Sequence, residues 1–264
     1  MRKLTSLGLL ILSIVFTLES DAATCFDDWF CFDKQQNPAQ LYLYNITPYP
    51  VVVTVTGAYR DTSWRRHRFE KTYALRANSK ETVLSFQPEA QSNLSRLQYS
   101  VSWSAGQLNA VHDHTVEYLI PFAKGQRYTI TQGMGGGFSH TGASRYAIDF
   151  AVPVGTPVHA ARNGIVIDTV DKHYRQGETR AYAKYANYIV ILHDDGTTGE
   201  YHHLKQYGVA VQRGDSVDAG QLIGFSGNTG FSSLPHLHFA VYRPKPNGNF
   251  ESIPFKFVRE THVN

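Results

Sequence analysis

The run Leu97-Gln98-Tyr99-Ser100-Val101-Ser102-Trp103 places an apolar residue at every second position with polar residues between them. Successive side chains of a strand point to opposite faces, so this pattern describes a half-buried β-strand. Leu41-Tyr42-Leu43-Tyr44, Val51 to Val55 and Thr82 to Phe86 add further strands, separated by Pro48, Pro50, Gly57 and Asn78-Ser79. Long amphipathic helices, internal repeats and low-complexity tracts are not evident. A length of 264 residues accommodates two domains. The expected class is all-β, with a small β-sandwich over residues 24–115 and a second domain, rich in strands and in Gly and Pro turns, over 116–264.

The N-terminus has the pattern of an export signal. Met1-Arg2-Lys3 is a short basic start, Leu7 to Leu18 an apolar core, and Ser20-Asp21-Ala22 supplies small residues at a cleavage site. A signal peptide over residues 1–23 is expected, leaving no integral membrane segment, since a spanning helix needs about 20 apolar residues. The protein should be exported, either periplasmic or secreted. Cys25 and Cys31 are the only cysteines, and an even count in an exported chain favours a disulfide. The formal charge of +3 suits work beside an anionic envelope and gives little support to nucleic-acid binding. Part of that charge sits in Trp64-Arg65-Arg66-His67-Arg68, read as a solvated hairpin loop, with contact to acidic polymers or glycans as the functional alternative.

Three polar clusters carry the chemistry. In Pro235-His236-Leu237-His238-Phe239 a His-x-His pair lies within a strand pattern, so both imidazoles share one face, as a metal site requires. Asp149 stands between Ile148 and Phe150, where an unpaired carboxylate would be costly to bury and a cation would offset the cost. Glu200-Tyr201-His202-His203-Leu204 follows the apolar run Tyr188 to Leu192. Zinc accepts such nitrogen and carboxylate ligands, and a catalytic zinc keeps three protein ligands with one position open. The other histidines invite plainer readings. His112-Asp113-His114 reads as a solvated strand end or linker, His202 as a groove-side or exposed neighbour that faces away from His203 if the strand is regular, and His159, His173 and His193 as having no chemical role.

The order of motifs resembles the lysostaphin and LytM family of zinc metalloendopeptidases, which cut peptide bonds in bacterial peptidoglycan. The resemblance runs from Asp149-Phe150-Ala151-Val152-Pro153 through Ala161-Arg162-Asn163-Gly164, His203-Leu204, Gly214-Asp215 and Gly227-Asn228-Thr229-Gly230 to Pro235-His236-Leu237-His238-Phe239. It implies a C-terminal antiparallel β-sheet domain of the LytM type, with one zinc ion bound by His140, Asp149 and His238 and with His203 and His236 as catalytic histidines that are not ligands. The family pattern places three residues between the first histidine and the aspartate. Here eight intervene, and Arg145 holds the usual histidine position. Gly142, Ala143 and Ser144 are small enough to bulge outward and return His140 toward Asp149; otherwise His140 is a surface loop residue and another histidine completes the set.

The implied activity is hydrolysis of stem-peptide cross-links by metal-activated water. The alternative is a catalytically silent module that activates another cell-wall hydrolase. The stretch Asp171 to Tyr185 is expected as a groove-walling loop whose Tyr174, Tyr182 and Tyr185 either stack on substrate or brace the loop. The N-terminal domain either positions substrate or packs over the groove as a latch. The bond cut and the oligomeric state are not encoded legibly.

Overall fold

The computed structural model describes residues 23–36, 39–61, 63–85 and 97–258. The expected signal peptide lies outside them, as does Phe86. Among the described residues no helix is long and apolar enough to cross a membrane. The chain divides into two compact units: residues 23–109 together with Pro244–Asn249, and residues 110–243 together with 250–258.

Among its described residues the N-terminal unit holds seven strands: β1 (Thr24–Phe26), β2 (Phe30–Gln36), β3 (Ala39–Asn45), β4 (Val51–Arg60), β5 (Arg66–Leu75), β6 (Lys80–Ser85) and β7 (Gln98–Ala105). They form two antiparallel sheets, ordered β1-β2-β3-β6 and β5-β4-β7. Aromatic residues join the sheets, with Phe32 stacked on Tyr99 at 4.4 Å and Trp29 against Trp103 at 5.0 Å. The alternation that begins at Leu97 is thus spent on turning Tyr99 and Trp103 toward the opposite sheet. Pairing of β1 with β2 sets Cys25 opposite Cys31, and the two are bonded. Closing so short a loop contributes only about 2 kcal/mol in the chain-entropy account.

The second unit contains β8 (Glu117–Tyr118), β9 (Ile130–Gln132), β10 (Ile148–Ala151), β11 (Pro157–His159), β12 (Gly164–Val170), β13 (Gln176–Gly177), β14 (Tyr188–Leu192), β15 (Thr198–His202), β16 (Leu204–Val209), β17 (Ser216–Val217), β18 (Leu222–Ser226), β19 (Gly230–Phe231), β20 (His236–Pro244), β21 (Phe250–Ser252) and β22 (Lys256–Phe257). Its main sheet runs β17-β12-β14-β15-β20-β10-β9, with β21 added beside β20. One face is apolar: Ile148 and Phe150 of β10, Leu237 and Phe239 of β20, Tyr201 of β15 and Ile189 and Ile191 of β14 are buried together. Because side chains alternate, burying that set forces the intervening residues onto the other face. The register then lines up Gln132, Asp149, His238, His202 and Tyr188 across five adjacent strands.

Two expectations need correction. His112 is buried, packed on Tyr118 with Nδ1 3.4 Å from Asp195 Oδ2, because a polar network of Arg162, Asp195 and Tyr118 accepts it; only His114 is exposed. The stretch from Asp171 to Tyr185 does wall the cavity described next, through Glu178, Arg180 and Ala183, but it is more ordered than a plain loop. It contains β13 and a 3-10 segment, Arg180–Tyr185, in which Tyr182 packs on Tyr185 and Arg175 lies over Tyr174 and Tyr185. These tyrosines brace the segment and stand outside the lining of the cavity described next.

Candidate metal centre

The polar face of the main sheet floors a cavity of about 520 Å³. Asp149, His202, His203, His236 and His238 line it, together with Glu200, Tyr242, Ser144, Phe138, Phe231 and Arg180. His140 stands behind this lining, 0% exposed, which excludes a surface position for it. A short 3-10 turn, Gly142–Ser144, follows it, with Gly142 at φ 55°, a conformation that glycine adopts without strain. This turn absorbs the additional residues before Asp149 and leaves Arg145 exposed, away from the position that the familiar spacing would give a ligand.

His140, Asp149 and His238 converge so that one ligand atom from each lies within 4.8 Å of the others. His140 Nε2 is 3.1 Å from Asp149 Oδ2, and His238 Nδ1 is 2.8 Å from Asp149 Oδ1. His140 Nδ1 donates to the Gly133 carbonyl at 2.9 Å, which fixes the tautomer and leaves a lone pair on Nε2. That nitrogen is buried without a hydrogen bond and faces a carboxylate oxygen, an arrangement that a cation between the two resolves. The other nitrogen of His238 is 3.4 Å from the Tyr242 hydroxyl, which donates in turn to Ser144 Oγ. Two imidazoles and a carboxylate, each oriented by a hydrogen-bond partner, fit a divalent metal of the zinc type.

Electrostatics follow the same geometry. Burial pushes the Asp149 carboxyl up, but contacts from His140 and His238 outweigh it and hold the group well below the usual carboxylate range. Burial works against the charged form of His140, while Asp149 reverses the outcome and raises its pKa. For His238 burial dominates and lowers the pKa despite Asp149.

His203 and His236 stand at the rim, their rings 4.5 Å apart. His203 follows the end of β15 in the left-handed region at φ 66°, a turn that carries the chain into β16. Its Nδ1 donates to the Thr229 carbonyl at 2.7 Å, and Thr229 Oγ1 is tied to Leu204 and Asn187, so the ring is anchored from behind. Burial, then the neighbouring histidines, lower its pKa well below the ordinary value. His236 Nδ1 bonds the Leu234 carbonyl at 2.7 Å, and its Nε2 reaches to 3.8 Å from Asp149 Oδ1.

The structure therefore brings all five sequence-selected residues to one place. His112, His114, His159, His173 and His193 lie elsewhere. His202, read as groove-side or exposed, takes the groove side: it lines the cavity with its Nε2 3.0 Å from Glu200 Oε2; sequence reasoning overlooked the aromatic wall of Phe138 and Phe231, 6.2 Å apart. The cross-strand pairing of His202 with His238 is the signal that decides for the groove side. Nothing local marked the aromatic wall.

Comparison with known proteins assigns part of the chain to a known family. Residues 143–250 match the family model "Peptidase family M23", which begins three residues after His140. Lysostaphin of Staphylococcus simulans is 37% identical over 132 residues, 49% of this chain and 23% of that protein. Peptidoglycan DD-endopeptidase ShyA of Vibrio cholerae is 38% identical over 99 residues, 37% of this chain and 20% of that protein. A solved structure of the antimicrobial peptidase lysostaphin is 32% identical, covering 47% of each chain with a TM-score of 0.36. The chain spans about a quarter of the length of these curated relatives. These matches place the second unit with domains of the lysostaphin and LytM type. Over residues 143–250 the chain carries a domain of peptidase family M23.

Proposed function

We propose that the protein is an exported zinc metalloendopeptidase that hydrolyses peptide bonds in bacterial peptidoglycan. The observation that carries the reading is the buried His140 Nε2 turned on Asp149 beside His238, with two further histidines at the rim of the same cavity. His140, Asp149 and His238 would hold the ion. When bound, zinc supplies a polarised carbonyl and a water acidic enough to attack it near neutral pH.

The remaining roles belong to the chain. His203 and His236 both commit Nδ1 to a backbone carbonyl, so each presents Nε2 toward the cavity as a proton acceptor. One Nε2 would take the proton of the attacking water and return it to the amine nitrogen as the C–N bond breaks, while the other, in its protonated form, would donate to the oxygen on which charge develops. The cavity offers a peptide both an aromatic patch, Phe138 beside Phe231 with Arg180 over the Phe231 ring, and polar lining from Glu200, His202 and Tyr242. Relatives named for peptidoglycan and glycyl-glycine endopeptidase activity support the substrate class.

The test is digestion of purified sacculi by zinc-loaded protein, with His236→Ala alongside and the released muropeptides identified by mass spectrometry. Cleavage by the parent alone establishes the activity and names the bond. If the parent leaves sacculi intact and a truncated protein beginning near Val116 does so too, the enzyme reading fails and the activator reading replaces it.

A further inference from the structure

The apex of the β4–β5 hairpin is built in a way that its own packing does not require. The register sets Arg60 directly opposite Arg66, and Arg68 follows on the same face, although like charges facing each other destabilise paired strands. Arg60, Arg65, Arg66 and Arg68 are all exposed, and Arg65, Arg66 and Arg68 form no ion pair among the described residues. The single carboxylate of this segment, Asp61, is engaged within the turn. It accepts from the backbone N–H groups of Ser63 and Arg65 and lies 2.7 Å from His67 Nε2.

At the tip, Trp64 adopts φ 61°, a conformation unfavourable for a bulky side chain, and is 60% exposed. The Trp64 N–H donates to the Asp61 carbonyl at 3.0 Å, and the Arg60 guanidinium donates to the Trp64 carbonyl at 2.9 Å. The turn therefore holds an indole outward, in front of a face of three arginines.

We propose that this apex docks on an anionic lipid surface, with Trp64 at headgroup level and Arg60, Arg66 and Arg68 on lipid phosphates. Indole favours the membrane interface, and a guanidinium matches a phosphate with paired donors. The shape favours a lipid phase over a discrete ligand. A convex tip cannot enclose a small anion, which needs a concave site, whereas a headgroup layer closes around it. The inference stands apart from the peptidase reading and does not depend on it.

The experiment measures quenching of Trp64 by brominated lipid, taken as the difference between the parent and Trp64→Phe. This readout is local to the apex, so lipid binding by the apolar segment 7–18 does not imitate it. Vesicles of brominated phosphatidylglycerol with phosphatidylcholine should quench Trp64, the effect should fall as salt shortens the screening length, and pure phosphatidylcholine should give little. Each of Arg60→Gln, Arg66→Gln and Arg68→Gln should weaken the partition about fivefold, while lysine at the same positions preserves most of it. Absence of quenching in anionic vesicles, or equal quenching in neutral ones, overturns the proposal. So does an arginine series that leaves vesicle binding intact and weakens retention on purified sacculi, which assigns the apex to a wall polymer.

Discussion

His140 and Asp149 illustrate how a site becomes readable in single atoms: an imidazole whose lone pair meets a carboxylate in a buried place is waiting for positive charge. We expect Asp149→Asn to reduce bound zinc from about one ion per chain to nearly none by elemental analysis. His236→Ala and His203→Ala should instead retain the ion and lose on the order of 100-fold or more in sacculus digestion. A zinc-free His236→Ala protein would contradict the division between ligands and proton carriers. His193 makes a different residue-scale prediction. Burial holds its pKa down at about 4, against an ordinary 6.5, so the unfolded chain binds a proton that the folded one refuses. Stability is then fully present above pH 6.5 and is lost as pH falls from 6.5 toward 4, by roughly 3 kcal/mol at the lower end. Denaturant titrations at the two pH values, compared between the parent and His193→Gln, should show a smaller loss in the variant, the remainder belonging to other buried histidines such as His203.

At the scale of elements, the site is an arrangement of strands on which loops are hung. Gly230 of β19 has φ 86°, and a Cβ there would meet Ala186 at 2.7 Å. Gly230→Ala should push β19 away from the 3-10 segment, lower stability by about 1–3 kcal/mol and reduce turnover while zinc content stays unchanged. A melting temperature and activity equal to those of the parent would show that this wall yields freely. The sequence made the strands of the floor legible because Ile148, Phe150, Leu237 and Phe239 alternate with Asp149, His236 and His238, and alternation dictates faces. It also allowed His140 to be selected, since Gly142 to Ser144 are small enough to turn. It left His202 open between the groove and the exposed surface, because regular pleating would set it on the face opposite His203. The left-handed backbone at His203 breaks that pleat, and no glycine marks the break. The Phe138 and Phe231 wall was equally opaque, as it joins segments far apart in the chain whose meeting depends on tertiary structure.

The whole molecule combines two differently stabilised units. The N-terminal one has an aromatic interface and a disulfide; the other has a large apolar core and a site for an ion. Calorimetry should resolve two transitions. Zinc should raise one of them in proportion to the logarithm of its concentration, and replacement of Cys25 and Cys31 by serine should lower the other. A single transition moved by both treatments would mean that the units unfold as one. The five-strand row through Asp149, His238 and His202 has a last consequence, which concerns how the chain reaches this state. Because His236 and His238 are two residues apart, sliding β20 by two positions preserves its inward and outward faces and sets His236 opposite Asp149. An ion present during refolding could capture that counterfeit alignment, so the timing of metal addition, and not only its amount, should govern the yield of correctly assembled protein.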